Sequence, residues 1–177
     1  SPLFLPKGAF NIINGGAHAG NDLEFQEFMV VPQASSFKEN FKISVDIYND
    51  LKKIIAKKWG RANLKLGYEG GFAPPISNAR EALDLLEMAT KMRGSGNKNK
   101  DGVKFILDIA ASQFFKKGKY GFGGRFFTKD ELLSYYFQLL KDYPIMGLED
   151  LFGEDDWEGW IKFSEKLKAQ SEKPLII

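Results

Sequence analysis

The sequence predicts an α/β fold built on a parallel sheet, and three observations carry that reading. From Val103 to Ile177, short apolar runs suited to strands alternate with amphipathic stretches suited to helices. Two strand-like and two helix-like segments come first, so the predicted order is ββαα followed by βαβαβ. Ser36 with Glu39, and Thr128 with Glu131, have the spacing that closes a capping box at a helix start. Alternation of this kind implies parallel strands joined by right-handed crossovers, with ligands received at the carboxyl ends of the strands.

Ala9 to Ile13 is short and apolar and runs into Asn14-Gly15-Gly16, which suits a strand and a turn. Phe28 to Val31 is a second strand, closed by Pro32. Phe37, Phe41, Val45, Tyr48, Leu51, Ile55 and Trp59 recur at three- or four-residue steps, which predicts one long helix over 36–59 with these side chains inward and Gly60 as its stop. A Gly/Pro-rich loop follows from Arg61 to Pro75, then a helix from Asn78 to Arg93. The stretch Gly94 to Gly102 is polar and glycine-bearing, and its lysines suit a solvated surface loop. Val103 to Ile109 is a buried strand, and Thr128 opens a helix ending at Asp142, before Pro144. Ile145 to Leu148 is a strand. Asp155 suits the cap of a helix over 156–170 that carries Trp157, Trp160, Ile161, Ser164 and Leu167 on one face, and Leu175 to Ile177 begins a further strand.

Composition narrows the function. The chain has 177 residues, 44% hydrophobic and 27% charged, an ordinary globular balance and one domain's worth of chain. No apolar run approaches the roughly 18 residues of a membrane-spanning helix. The absence of cysteine removes thiolate metal sites and disulfides and is compatible with a reducing compartment. Basic and acidic residues number 25 and 23, for a net charge of +2, and no basic stripe interleaves with the aromatic residues, so a nucleic-acid role has no support. The one histidine, His18, excludes any mechanism needing two from this stretch. Both ends, Ser1-Pro2-Leu3 and Pro174-Leu175-Ile176-Ile177, read as cut rather than natural.

Asp108 lies near the end of one predicted strand and Glu149 follows the end of the next. On neighbouring parallel strands these carboxylates converge into a hard-oxygen site suited to Mg²⁺. Either residue also suits a solvated loop acid or a helix cap.

Five blocks, in order, resemble the enolase family. They are Asn11-Ile-Ile-Asn-Gly-Gly-Ala-His-Ala-Gly-Asn21, Gln26-Glu27-Phe28-Met29, Gly67-Tyr-Glu-Gly-Gly-Phe-Ala-Pro74, Leu107-Asp-Ile-Ala-Ala-Ser-Gln-Phe114, and Leu148-Glu-Asp-Leu-Phe152 followed by Asp155-Asp156-Trp157. The resemblance implies a partial TIM-barrel domain across residues 1–177. This would be the first part, about five strands, of an enolase-type ββαα(βα)₆ barrel, lacking the family's amino-terminal capping domain and its later strands. It implies a cytoplasmic glycolytic lyase that dehydrates 2-phosphoglycerate to phosphoenolpyruvate with Mg²⁺ as cofactor, in a family that is homodimeric. On matching positions, Glu69 corresponds to the acid for the departing hydroxyl, Glu27 to a glutamate that supports it, and His18 to a histidine of a mobile loop near the substrate phosphate. Asp108 and Glu149 correspond to two of three carboxylate metal ligands. Glu27, Glu69, Asp108 and Glu149 are therefore expected on one side of the sheet, at the strand carboxyl ends.

The departures are Tyr68, Gln113 and Leu151, where the family usually has Asp, Glu and Pro. Tyr68 removes a carboxylate beside Glu69, Gln113 loses a charge, and Leu151 lifts a proline's backbone restriction. The third metal carboxylate, the base lysine, a second lysine and a further histidine are expected beyond Ile177. Two readings follow. In one, this is a piece of an enolase, inactive alone and completed by the rest of the barrel. In the other it is a non-catalytic, enolase-derived structural subunit completed by another protein chain. Both require a partner for the exposed strand edges of a half barrel.

Overall fold

The computed structural model describes residues 6–92, 102–168 and 174–177. The larger sheet has five strands in the order β1 (Phe10–Asn14), β2 (Glu27–Pro32), β3 (Val103–Asp108), β7 (Ile145–Glu149) and β8 (Leu175–Ile176). It is an open sheet with β1 and β8 at its edges. β3, β7 and β8 run parallel, as the alternating pattern predicts. β2 runs antiparallel to both β1 and β3. The reason is connectivity. Two helices separate β2 from β3, so the chain reverses once more than in a single-helix crossover and enters β3 the other way.

Those helices are α1 (Phe37–Trp59) and α2 (Ala79–Met92). The Ser36 side chain accepts a hydrogen bond from the Glu39 N–H at 3.2 Å. Gly60 stops α1 at φ +85°, a conformation that disfavours a Cβ. Asn78 caps α2 by accepting from the Glu81 N–H at 3.0 Å, while Glu81 reaches back to the Ser77 N–H at 3.1 Å. The first turns of α1 do not face inward as expected. Phe37 and Phe41 are each 53% exposed, stack on each other and meet the Phe10 ring at a tilt, while Asn40 and Ser44 are the buried residues there. Asn40 is buried because its side chain closes the preceding turn, accepting from the Ala34 N–H at 2.9 Å.

Between β3 and α3 (Lys129–Asp142) the structure adds a small antiparallel meander that the sequence reading passed over: β4 (Phe115–Lys116), β5 (Lys119–Phe122) and β6 (Arg125–Phe127). Its strands are too short for a periodic signal, and two tight turns fold them. Lys117 and Gly118 make one turn and Gly123 and Gly124 the other, all at positive φ. Helix α3 opens on the full Thr128/Glu131 capping box. Helix α4 (Trp157–Lys168) is capped by Asp156, which accepts from the Gly159 N–H at 3.2 Å, and not by Asp155. Of the expected face, Leu167 is buried and Trp160 packs against the core, but Trp157 and Ile161 are exposed, and α4 also buries Gly159 and Phe163. The expectations for Arg93, for most of the lysine-bearing loop and for the end of α4 past Lys168 lie outside the described residues.

One large core fills the space between the sheet and the helices, with Phe28, Val30, Phe105, Leu107 and Leu148 pointing into it. Met29, Val31 and Ile106 form a second, smaller cluster with Met146. Strand side chains alternate faces, so this cluster marks the other face of the sheet. Glu27, Asp108 and Glu149 occupy alternate positions that share that second face.

Candidate active site

Four polar residues make a row across four strands. Asn14 pairs with Glu27, Glu27 with Asp108, and Asp108 with Glu149. Neighbouring strands lie about 4.8 Å apart, so paired side chains are adjacent. Asp108 and Glu149 stand at the carboxyl ends of parallel strands, as expected. Glu27 corrects the expectation: it reaches the same edge from the amino end of its strand, because β2 is antiparallel. Just past the row, Ala110 and Asp150 adopt left-handed backbone at φ +48° and +49°. This is uncommon for non-glycine residues, and aspartate tolerates it better than alanine does. It turns both chains sharply off the sheet. The Asp108 carboxylate braces its turn by accepting from the Ala110 N–H at 2.9 Å.

Glu69 arrives from a loop, over the end of β1. Phe72 stitches that loop to the strand, its N–H donating to the Ile12 carbonyl at 2.8 Å and its carbonyl accepting from the Asn14 N–H at 2.9 Å. Asn14 is fully buried and is the anchor: it donates to the Glu69 Oε2 at 2.8 Å and accepts from the Gly71 N–H at 3.0 Å. Asn11 donates to the same Glu69 oxygen at 2.8 Å. Two glycines permit this approach. A Cβ on Gly67 would lie 2.6 Å from the Asn14 Cβ, and one on Gly71 would lie 2.6 Å from the Asn14 Oδ1. The other Glu69 oxygen meets the His18 Nδ1. His18 sits on a one-turn 3₁₀ segment, Gly16–His18, and its carbonyl accepts from the Tyr68 N–H at 3.0 Å. His18, Glu27 and Glu69 thus converge, each offering one ligand or hydrogen-bonding atom within 4.8 Å of the others.

The electrostatics follow from that crowding. Burial, then the Glu69 hydrogen bond and charge, then Asp108 and Glu149, push the Glu27 carboxyl up to about 8. Burial also works on Glu69, but hydrogen bonds from Glu27, Asn14 and His18 outweigh it and hold Glu69 below the ordinary carboxylate value. The Glu27–Glu69 pair therefore shares one proton, which resides on Glu27 near neutral pH. Burial and the neighbouring Glu149 charge push Asp108 up to about 6, and burial raises Glu149. Two adjacent carboxylates that resist ionising together fit a divalent cation, whose charge would offset the repulsion. Hard oxygen donors suit Mg²⁺.

The departures sit quietly. Tyr68 is 88% exposed, with its ring centroid 6.3 Å from that of His18. Leu151 is fully buried, and its carbonyl accepts from the Tyr136 hydroxyl at 2.7 Å. Gln113 donates to the Gln26 Oε1 at 2.7 Å. Sequence reasoning missed Asn11, Asn14 and Gln26 as parts of the site. A polar residue ending an apolar strand and flanked by glycines was the available signal for Asn14.

The fold and this site define a class: an open α/β sheet with an acidic row at the end where its parallel strands finish. Residues 2–172 match the family described as enolase, C-terminal TIM barrel domain. The enolase of Methanocaldococcus jannaschii is 45% identical over 167 residues, covering 94% of this chain and 38% of that protein. The enolase of Thermococcus kodakarensis is 45% identical over 169 residues, covering 94% and 39%. That of Thermococcus gammatolerans is 44% identical over 166 residues, covering 92% and 38%. This chain belongs to the enolase family, in the carboxyl-terminal barrel domain, and spans about two-fifths of the length of these relatives. Among the described residues no helix is long and apolar enough to cross a membrane.

Proposed function

We propose that this segment furnishes the acidic part of an enolase site that dehydrates 2-phosphoglycerate to phosphoenolpyruvate, and that residues 1–177 are inactive alone. The observation that carries the reading is the convergence of His18, Glu27 and Glu69 beside the Asp108–Glu149 pair. Loss of hydroxide from carbon needs a proton delivered to the leaving oxygen. Glu69 takes that role. Glu27 is its reservoir, passing the proton through their hydrogen bond as the leaving group departs as water. Asn11 and Asn14 fix Glu69 by one oxygen, leaving the other toward His18. Asp108 and Glu149 would hold Mg²⁺, which when bound stabilises the negative charge that builds on the substrate carboxylate. The lysine that removes the carbon-bound proton, the third carboxylate ligand and the amino-terminal capping domain come from outside this segment.

The test follows phosphoenolpyruvate absorbance with the 177-residue chain alone and with the remainder of the barrel added. No turnover is expected alone, because losing a positioned base costs on the order of 10²–10⁴ in rate. Turnover is expected on complementation, and Glu69→Gln should then remove most of it. Robust turnover from the chain alone overturns the assignment of indispensable groups. A completed barrel that stays inactive supports the non-catalytic structural subunit instead.

A further inference from the structure

Three hydrogen bonds run in one direction from a loop backbone to a metal-ligand carboxylate. The Ala17 N–H donates to the Gln113 Oε1 at 3.2 Å, the Gln113 Nε2 donates to the Gln26 Oε1 at 2.7 Å, and the Gln26 Nε2 donates to the Asp108 Oδ2 at 2.8 Å. Chemistry at both ends fixes this orientation. A backbone N–H can only donate, so Gln113 must present its oxygen to Ala17 and its NH₂ to Gln26. An ionised carboxylate can only accept, so Gln26 must present its NH₂ to Asp108 and its oxygen to Gln113. Two amides are the pair of side chains that complete this chain without a clash of like groups. Aligned amides polarise one another, so the negative end at Asp108 strengthens the links behind it.

Ala17 precedes His18 in the same one-turn segment. Asp108 uses Oδ1 for the Ala110 N–H and Oδ2 for Gln26, which fixes its rotation and leaves each oxygen a further lone pair for a cation shared with Glu149, its partner in register. We propose that Gln113 is a positioning residue, coupling a divalent cation held by Asp108 and Glu149 to the order of the His18 loop through Gln26. The proposal rests on the reading of Asp108 and Glu149 as cation ligands. By linkage, a cation that fixes Asp108 tightens the loop at Ala17, and the ordered loop favours the cation by the same factor. Glutamate at position 113 would keep the Ala17 contact but has no proton for Gln26. Gln26 would then have to turn its oxygen on Asp108, or lose the link.

The experiment uses the full-length protein that carries this segment. Amide exchange at Ala17 is followed with and without saturating Mg²⁺, and Mg²⁺ affinity is measured by calorimetry. In the unaltered protein Mg²⁺ should slow Ala17 exchange severalfold. Gln113→Leu should weaken Mg²⁺ by about tenfold, the low end for outer partners of a metal ligand, and leave Ala17 fast with or without the ion. Gln113→Glu is the sharper variant: Ala17 should stay protected but stop responding to Mg²⁺. If Mg²⁺ binds but Ala17 responds equally in the unaltered protein and Gln113→Glu, or affinity is unchanged in both variants, the relay is wrong while the cation site stands. If Mg²⁺ does not bind the unaltered protein, both the cation site and the relay fall.

Discussion

Glu27 and Asp108 are direct partners across an antiparallel pair, Glu27 opening β2 and Asp108 closing β3. Two carboxyls of the proposed site are thereby held on one edge by backbone register rather than by loops. Register is fixed by the alternation of Phe28 and Val30 into the large core and Met29 and Val31 onto the other face. A one-residue slip would bury Glu27 among phenylalanines.

That juxtaposition gives the metal-free protein a stability that declines with pH. Glu27 rises from 4.5 to about 8 and Asp108 from 3.8 to about 6 on folding. The folded state therefore holds more protons than the unfolded state between about pH 4 and 8, and stability falls as pH rises through that window. Glu27 is partly solvated, so its share of the slope is modest. Denaturant midpoints at pH 5 and pH 8.5 should show the decline, and Glu27→Gln should flatten it. A midpoint that climbs over this range contradicts the shared-proton account.

Asn14 should prove more important to stability than its place beside a turn suggests. Asn14→Leu leaves the buried Gly71 N–H without its partner and removes one of the two amide donors on the Glu69 Oε2, which keeps Asn11. About 1–3 kcal/mol is expected from unsatisfied groups of this kind. Gly67→Ala should cost a similar amount, because its Cβ would fall 2.6 Å from the Asn14 Cβ and 2.8 Å from the His18 carbonyl oxygen. Urea denaturation of each variant measures this, and unchanged midpoints would show that the 67–71 loop is not held through Asn14.

Much of this fold was legible because it is written in periodicity and caps. α2, α3 and the parallel trio β3, β7 and β8 follow directly from Asn78, Thr128 and the apolar runs. What was not legible has local physical causes. The inward face of α1 was misjudged at Phe37 and Phe41, because Asn40 is drawn inward by the Ala34 backbone. The β4–β6 meander is made by turns, not by hydrophobic pattern. Glu27, Glu69, Asp108 and Glu149 were found through the family resemblance and the strand ends. The supporting amides Asn11, Asn14 and Gln26 carry no charge or periodicity, and only geometry reveals what they hold.

Mg²⁺ binding by residues 1–177 should be weak, because Mg²⁺ depends on near-ideal oxygen geometry and this segment offers a carboxylate pair. Calorimetry should show the affinity rising from pH 5.5 to 7.5, since the ion displaces the proton that Asp108 holds up to about pH 6. Asp108→Asn should abolish both the binding and its pH dependence. A pH-independent affinity would place the ion elsewhere.

The loop after β7 carries the last prediction. The Asp156 side chain is 2% exposed and is paired with Lys129 at 2.8 Å. It also accepts from the Tyr120 hydroxyl at 2.6 Å, and that hydroxyl in turn accepts from the Gly153 N–H at 3.0 Å. Lys129 and Tyr120, from α3 and β5, therefore clamp the segment that leads away from Glu149. Tyr120→Phe keeps the ring packing but leaves the Gly153 N–H and one Asp156 oxygen unpaired, for an expected loss of about 1–3 kcal/mol. Lys129→Met strands a buried carboxylate. Breaking a buried pair from one side costs about 3–5 kcal/mol, though solvent reaches Lys129, which is 26% exposed, and brings the expected loss toward the low end. The double variant Lys129→Met with Asp156→Asn should recover part of that loss, because the stranded charge is gone. Denaturation midpoints of the three variants decide it. If Lys129→Met alone is neutral, the Asp156 charge is not held by Lys129, and the clamp reduces to the tyrosine.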